Sequence, residues 1–169
     1  MARTILRPLL KLPLALYGDL VADLARSGAG VAESGAFLLG TLDGDDRQVA
    51  GYLPYEAVAA QSRRRHAYVA FTAEEMARAW DYCYRNKVQV VADVHTHPGA
   101  PMQSLSDRAH PIVSLAGHVA LIVPHFALRN PQPSDLGVHQ FLGSGRWRSL
   151  FGADAARALQ LTRIQHGTG

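Results

Sequence analysis

His95-Thr96-His97 places two imidazoles at alternate positions of the run Val88 to His97. On an extended strand, residues two apart share a face at about 6–7 Å, so both rings can converge on one ion at about 2.0–2.1 Å. Asp107, beyond the loop Pro98-Gly99-Ala100-Pro101, can bring a carboxylate back over the strand end. Two histidines and a carboxylate leave the fourth tetrahedral position open, as in a catalytic rather than a structural zinc site. Zinc there would polarise a carbonyl and lower the pKa of its water towards about 7, making hydrolysis feasible at neutral pH. Glu33 stands just ahead of the glycine-bounded apolar run Gly35 to Gly40. It can carry the protons if that run neighbours the histidine strand; taken alone, it is an acidic residue of an exposed loop.

Other side chains compete for these roles. Asp93 lies on the same strand face, but a further 6–7 Å or so back from His95, and is better suited to orienting a ligand histidine or closing a hydrogen bond along the ladder. His110 falls in a polar loop, Met102 to Pro111, and is expected to be exposed. His118, His125, His139 and His166 have no matching partner nearby in the sequence and are read as structural or surface residues. Cys83 belongs to a helical stripe, Met76, Ala79, Trp80 and Cys83, whose spacing buries it, the wrong setting for a nucleophilic thiol.

Regular elements must position these groups. Tyr17, Leu20, Val21 and Leu24 make a helical stripe from Pro13 to Ser27, closed by Gly28. The run Gly35 to Gly40 reads as a buried strand, and Asp43-Gly44 as a hairpin turn into a second strand, Arg47 to Tyr52, ended by Pro54. A third strand is predicted over Ala67 to Phe71, after the basic run Arg63-Arg64-Arg65-His66, taken as solvated loop. Thr72 and Glu75 form a capping box that opens a second helix. From Val88 to His97, Val88, Val90, Ala92 and Val94 are expected on one face, with Gln89, Asp93, His95 and His97 on the other. Strands follow at His118 to Val123 and Gly137 to Leu142, and the tail from Asp154 to Leu161 reads as helix. Strands interleaved with helices, without repeats, predict one α/β domain over residues 1–169, a mixed central β-sheet flanked by helices.

Composition narrows the function classes. The 169 residues carry 17 Lys and Arg against 14 Asp and Glu. That excess is too small to specify nucleic acid, although it suits an acidic partner. No run approaches the roughly 18 apolar residues of a membrane span, and the N-terminal residues lack the pattern of a secretory leader. A single cysteine rules out an intrachain disulfide, so the expected location is cytoplasmic.

Three ordered segments, Glu33 to Gly40, His95-Thr96-His97-Pro98 and Ser104-Leu105-Ser106-Asp107, together resemble the signature of the JAMM (MPN+) zinc metalloproteases, the Mov34/PAD-1-like and prokaryotic JAB group. The spacer Gly99 to Gln103 is shorter than in the family pattern. The resemblance implies a cytidine-deaminase-like three-layer sandwich, with Zn²⁺ on His95, His97 and Asp107, Glu33 as general base and Ser104 supporting the oxyanion. It also implies cleavage of isopeptide or peptide bonds made by a ubiquitin-like protein, alongside E1- and E2-like conjugation enzymes, in operons some of which serve phage defence. Some relatives instead hydrolyse small amide or cysteine conjugates or process sulfur carriers, and others are non-catalytic scaffolds that have lost the metal residues. Here those residues are present.

Overall fold

The computed structural model describes residues 7–59 and 70–163. Strand β1 (Leu10–Pro13) leads straight into helix α1 (Leu14–Gly28), which is followed by the hairpin β2 (Gly35–Asp43) and β3 (Asp46–Pro54). Helix α2 (Ala73–Asn86) precedes β4 (Gln89–Thr96), and a short helix, α3 (Leu105–Ala109), precedes β5 (Val119–Val123). The chain ends in the hairpin β6 (Gly137–Gly143) and β7 (Arg146–Leu150), helix α4 (Gly152–Ala158) and β8 (Leu159–Thr162). The eight strands form one mixed sheet in the order β7-β6-β5-β4-β2-β3-β1-β8, which bears out the mixed sheet with helices. No helix among the described residues is long and apolar enough to cross a membrane.

Two cores lie on opposite faces, because successive side chains of a strand point to opposite sides. From β2, Ala36 and Leu38 pack with Leu20 and Leu24 of α1 and Ala155 of α4. Phe37 and Leu39 pack with Leu53, Tyr55 and Ala79 and Cys83 of α2. Burial of both faces of β2 thus holds a helix layer on each side of the sheet. At Gly35, a methyl group would overlap the Tyr55 ring and the Val94 carbonyl, so this position needs glycine for the close approach of β2 to its neighbours.

Several expectations need correction. Leu10–Pro13 pairs in parallel with β3 on one side and with Leu159–Thr162, the edge strand, on the other, so the tail is a short helix followed by a strand. Arg146–Leu150 is a further strand, closing a hairpin through Gly143, Ser144 and Gly145, all in the left-handed region. Of the strand expected at Ala67 to Phe71, residues 67–69 lie outside the described residues, as does Arg63-Arg64-Arg65-His66, while Ala70 and Phe71 are not in a strand. The Thr72–Glu75 capping box is present and Cys83 is buried, but Trp80, from the same stripe, is 44% exposed.

The histidine strand departs from simple alternation in an informative way. Leu39 pairs with Val90 and Leu38 with Ala92, so Val91 is an extra residue, a β-bulge. Val88 and Val90 therefore pack beside the α2 core, and Ala92 and Val94 beside α1, rather than all four on one face. Gly35→Ala is expected to lower stability by about 1–3 kcal/mol through overpacking, read as a lower urea midpoint. Gly51→Ala, where an added methyl meets nothing within 4 Å, should leave the midpoint close to wild type.

Candidate metal centre

β4 ends at Thr96, in the middle of the sheet between β2 and β5, with His95 opposite Gly35 on one side and Ile122 on the other. Central placement gives the two imidazoles a backbone fixed from both flanks. His97 follows the strand, yet its N–H still donates to the Val123 carbonyl at 2.9 Å. Its own carbonyl accepts from the Phe126 N–H at 2.8 Å, and the Gly99 carbonyl accepts from the His125 N–H at 3.2 Å. His125, Phe126 and Ala127 all have positive φ, at 53°, 53° and 62°. For residues with a Cβ this costs about 1–2 kcal/mol each, a strain these backbone bonds help offset.

The imidazoles meet as their spacing required. His95 Nε2 and His97 Nε2 are 3.0 Å apart. Asp107 brings Oδ1 to 3.5 Å from His95 Nε2 and Oδ2 to 3.3 Å from His97 Nε2. The three residues form a group able to hold a metal ion. Donors at about 2.0–2.1 Å from a tetrahedral ion stand about 3.3 Å apart, so these separations fit a shared cation. Two nitrogens this close cannot both point protons at each other, and the carboxylate beside them supplies none. Burial works to raise the Asp107 carboxyl, but hydrogen bonds from His95, His97 and Ser104 outweigh it and hold the group well below the usual carboxylate range. These contacts favour its ionised form.

Ser104 and Asp107 face each other across the first turn of α3. The Asp107 N–H donates to Ser104 Oγ at 3.1 Å and the Ser104 N–H donates to Asp107 Oδ2 at 2.7 Å, a capping box. The loop predicted from Met102 to Pro111 thus contains a helical turn that aims the carboxylate. The Ser-x-x-Asp spacing is itself the signal of that cap. Two clamps hold this segment on the sheet. Trp147 Nε1–H donates to the Arg108 carbonyl at 3.1 Å. His139, fully buried, lies 3.0 Å through Nε2 from the Pro101 carbonyl and 2.8 Å through Nδ1 from the Ser149 hydroxyl. The carbonyl can only accept, so Nε2 carries the proton and Nδ1 accepts from Ser149. At Gly137 a methyl group would collide with the Pro101 carbonyl and the His139 ring, so the loop rests directly on β6.

Glu33 enters from the other side, on the loop between α1 and β2. The Ser34 N–H donates to Thr96 Oγ1 at 2.9 Å, the Thr96 N–H donates to the Ser34 carbonyl at 2.8 Å, and the Ser34 hydroxyl donates to the Leu24 carbonyl at 2.8 Å. This clasp seats Glu33, half-buried, within the electrostatic reach of His97, His95 and Asp107. Burial pushes its carboxyl up, with Asp107 adding in the same direction and the two histidines opposing. The neighbouring strand that Glu33 required is therefore in place.

Asp93 does not orient a ligand histidine. Its Oδ1 lies 2.6 Å from His118 Nε2 and its Oδ2 accepts from the Tyr55 hydroxyl at a long 3.4 Å, all three side chains being buried. His95 Nδ1 is left buried without a hydrogen-bond partner among the described residues. His118 and His139 are thus both partnered, although nothing near them in the sequence announced it, because their partners lie 25 and 38 residues away. His110 is exposed.

No family model matches the chain. Over 94 residues it is 26% identical to a probable metalloprotease, y4jG, of Sinorhizobium fredii, a match covering 56% of this chain and 58% of that protein. The chain therefore matches a little over half the length of that curated relative. A protein from Desulfitobacterium hafniense shares the fold with a TM-score of 0.63 and 19% identity, over 93% of this chain and 97% of that one. A protein from Salinibacter ruber does so with a TM-score of 0.56 and 20% identity, over 93% of each chain.

Two outcomes test this geometry. Elemental analysis should find about one divalent metal ion per chain in wild type, and Asp107→Ala should weaken metal binding by at least about tenfold; equal, negligible metal in both would remove the site. Burial pushes the His139 pKa down to about 4 from an ordinary 6.5, so stability is higher by up to roughly 3 kcal/mol with His139 neutral than in acid, where the imidazole must be protonated. That contribution is complete above pH 6.5 and is lost as pH falls towards 4, where the unfolded chain binds the extra proton. Urea unfolding should therefore show the stability gap between wild type and His139→Gln shrinking from pH 7 to pH 4; a constant gap would contradict the neutral clamp.

Proposed function

We propose that this chain is a zinc-dependent peptidase or isopeptidase of the JAMM (MPN+) type, built on that family's cytidine-deaminase-like sandwich, which removes a ubiquitin-like protein from conjugates or a precursor. The placement of Glu33 beside the His95, His97 and Asp107 group carries this reading. A structural metal site has no use for a second, unligated carboxyl group whose pKa burial raises. A relative named as a probable metalloprotease supports peptide hydrolysis, and the ordered motifs from Glu33 to Asp107 support the ubiquitin-like substrate.

When bound, zinc supplies a Lewis acid that polarises the scissile carbonyl and acidifies the attacking water. Held by the Ser34–Thr96 clasp, Glu33 takes a proton from that water and later delivers it to the leaving amine. A carboxyl raised by burial serves both steps, because its proton affinity is brought nearer the working pH. The Ser104 oxygen accepts the Asp107 N–H, which leaves the hydroxyl proton free to donate to the developing oxyanion.

Glu33→Gln should keep wild-type zinc content and lose about 10²–10⁴-fold in turnover, the usual share of a general base. The measurement is cleavage of candidate ubiquitin-like fusions with and without a chelator, identifying the bond cut. Unchanged turnover in the variant would overturn the assignment of Glu33.

A further inference from the structure

Beside the metal ligands opens a cleft of about 640 Å³ whose chemistry the hydrolytic step does not use. His95 and Asp107 border it at one end, Phe71, Met76, Ile112 and Trp147 contribute its apolar and aromatic walls, and Asp93 lies in its lining. No lysine or arginine lines it among the described residues, whereas two carboxylates do. Asp107 is committed to the metal. Asp93 is not, and it is 2% exposed.

A carboxylate so deeply buried is costly unless its oxygens are satisfied. His118 satisfies Oδ1 at 2.6 Å, but Oδ2 receives only the long 3.4 Å contact from Tyr55. One oxygen of this buried carboxyl group therefore has room for a further hydrogen bond, in a pocket walled by aromatic rings. An anionic ligand would meet the Asp93 carboxyl group there, and a purely apolar one would leave that acceptor unfilled. A cation on an aliphatic stem answers both parts of the pocket. The stem covers apolar wall, the head reaches a carboxylate, and the rings add a cation–π attraction of about 0.5–2 kcal/mol.

We propose that this cleft is the recognition pocket for a basic side chain, lysine or arginine, of the substrate. Its position next to the scissile bond rests on the hydrolase reading above; binding of the cation to the cleft does not. The pocket gives the enzyme a preference for chains with a basic residue near the bond it cuts.

Trp147 lines the cleft, and the sequence has only one other tryptophan, Trp80. Zinc-loaded Trp80→Phe protein therefore reports on the cleft through its remaining fluorescence. Titration with n-butylguanidinium should shift the Trp147 emission saturably, and its neutral isostere n-butylurea should bind at least about tenfold more weakly. Asp93→Asn should bring the two probes to within about threefold. Ile112→Lys, a wall change that spares the Asp93 network, should weaken n-butylguanidinium at least tenfold while leaving n-butylurea within about threefold, and it decides the question if Asp93→Asn does not fold. Equal binding of both probes by the Trp80→Phe parent, no saturable shift with either, or undiminished guanidinium binding in Ile112→Lys would overturn the proposal. Loss of peptide cleavage alongside intact selective binding would instead count against the hydrolase reading and leave the cation pocket standing.

Discussion

Two imidazole nitrogens 3.0 Å apart, with a carboxylate beside them, form a cluster that scaffolding has to hold in place, because the donors gain little from one another until a cation joins them. The fold answers with backbone. His95 sits on a strand paired on both edges, His97 is tied to β5 and to a left-handed turn, and Asp107 is fixed by its own helix cap. Each donor is supported by main-chain hydrogen bonds, which hold position more firmly than the packing of long side chains would. The same logic extends to Glu33, whose loop is fastened through its neighbour Ser34 and leaves the carboxylate free.

Much of this was legible in residue types and spacing. The pairing of His95 with His97 followed from strand geometry, Thr72 with Glu75 announced a helix start, and the buried side of α2 placed Cys83 correctly. What stayed hidden needed the third dimension. Asp93 and His118 share a network only because β4 and β5 run side by side in parallel, and His139 reaches Pro101 only because β6 lies under the loop. Short strands such as Leu10–Pro13 and Leu159–Thr162 have too few residues to display a period, and they become strands through their pairing partners, β3 and each other. Trp80 was misplaced for a different reason: a helical stripe identifies a face, but its margin is set by how far the sheet beneath extends.

Buried polarity divides into two kinds here. His139 is neutral and fully engaged, and its task is to seat the loop before α3. Asp93 is incompletely hydrogen-bonded, in a cleft beside the metal ligands. The first kind is what folding alone selects. The second imposes a cost on folding, and such costs persist where a ligand repays them.

The bulge at Val91 divides β4 into two segments with separate bearings. Ahead of it, Val88 and Val90 belong to the α2 side; after it, Ala92 and Val94 belong to the α1 side, and Asp93 and His95 take the facing this leaves. Because one surplus residue resets the phase of the strand, the length of the chain upstream is decoupled from the direction of the imidazoles. A single residue gained or lost between Ala92 and His97 has no such buffer and turns the histidines away from Asp107.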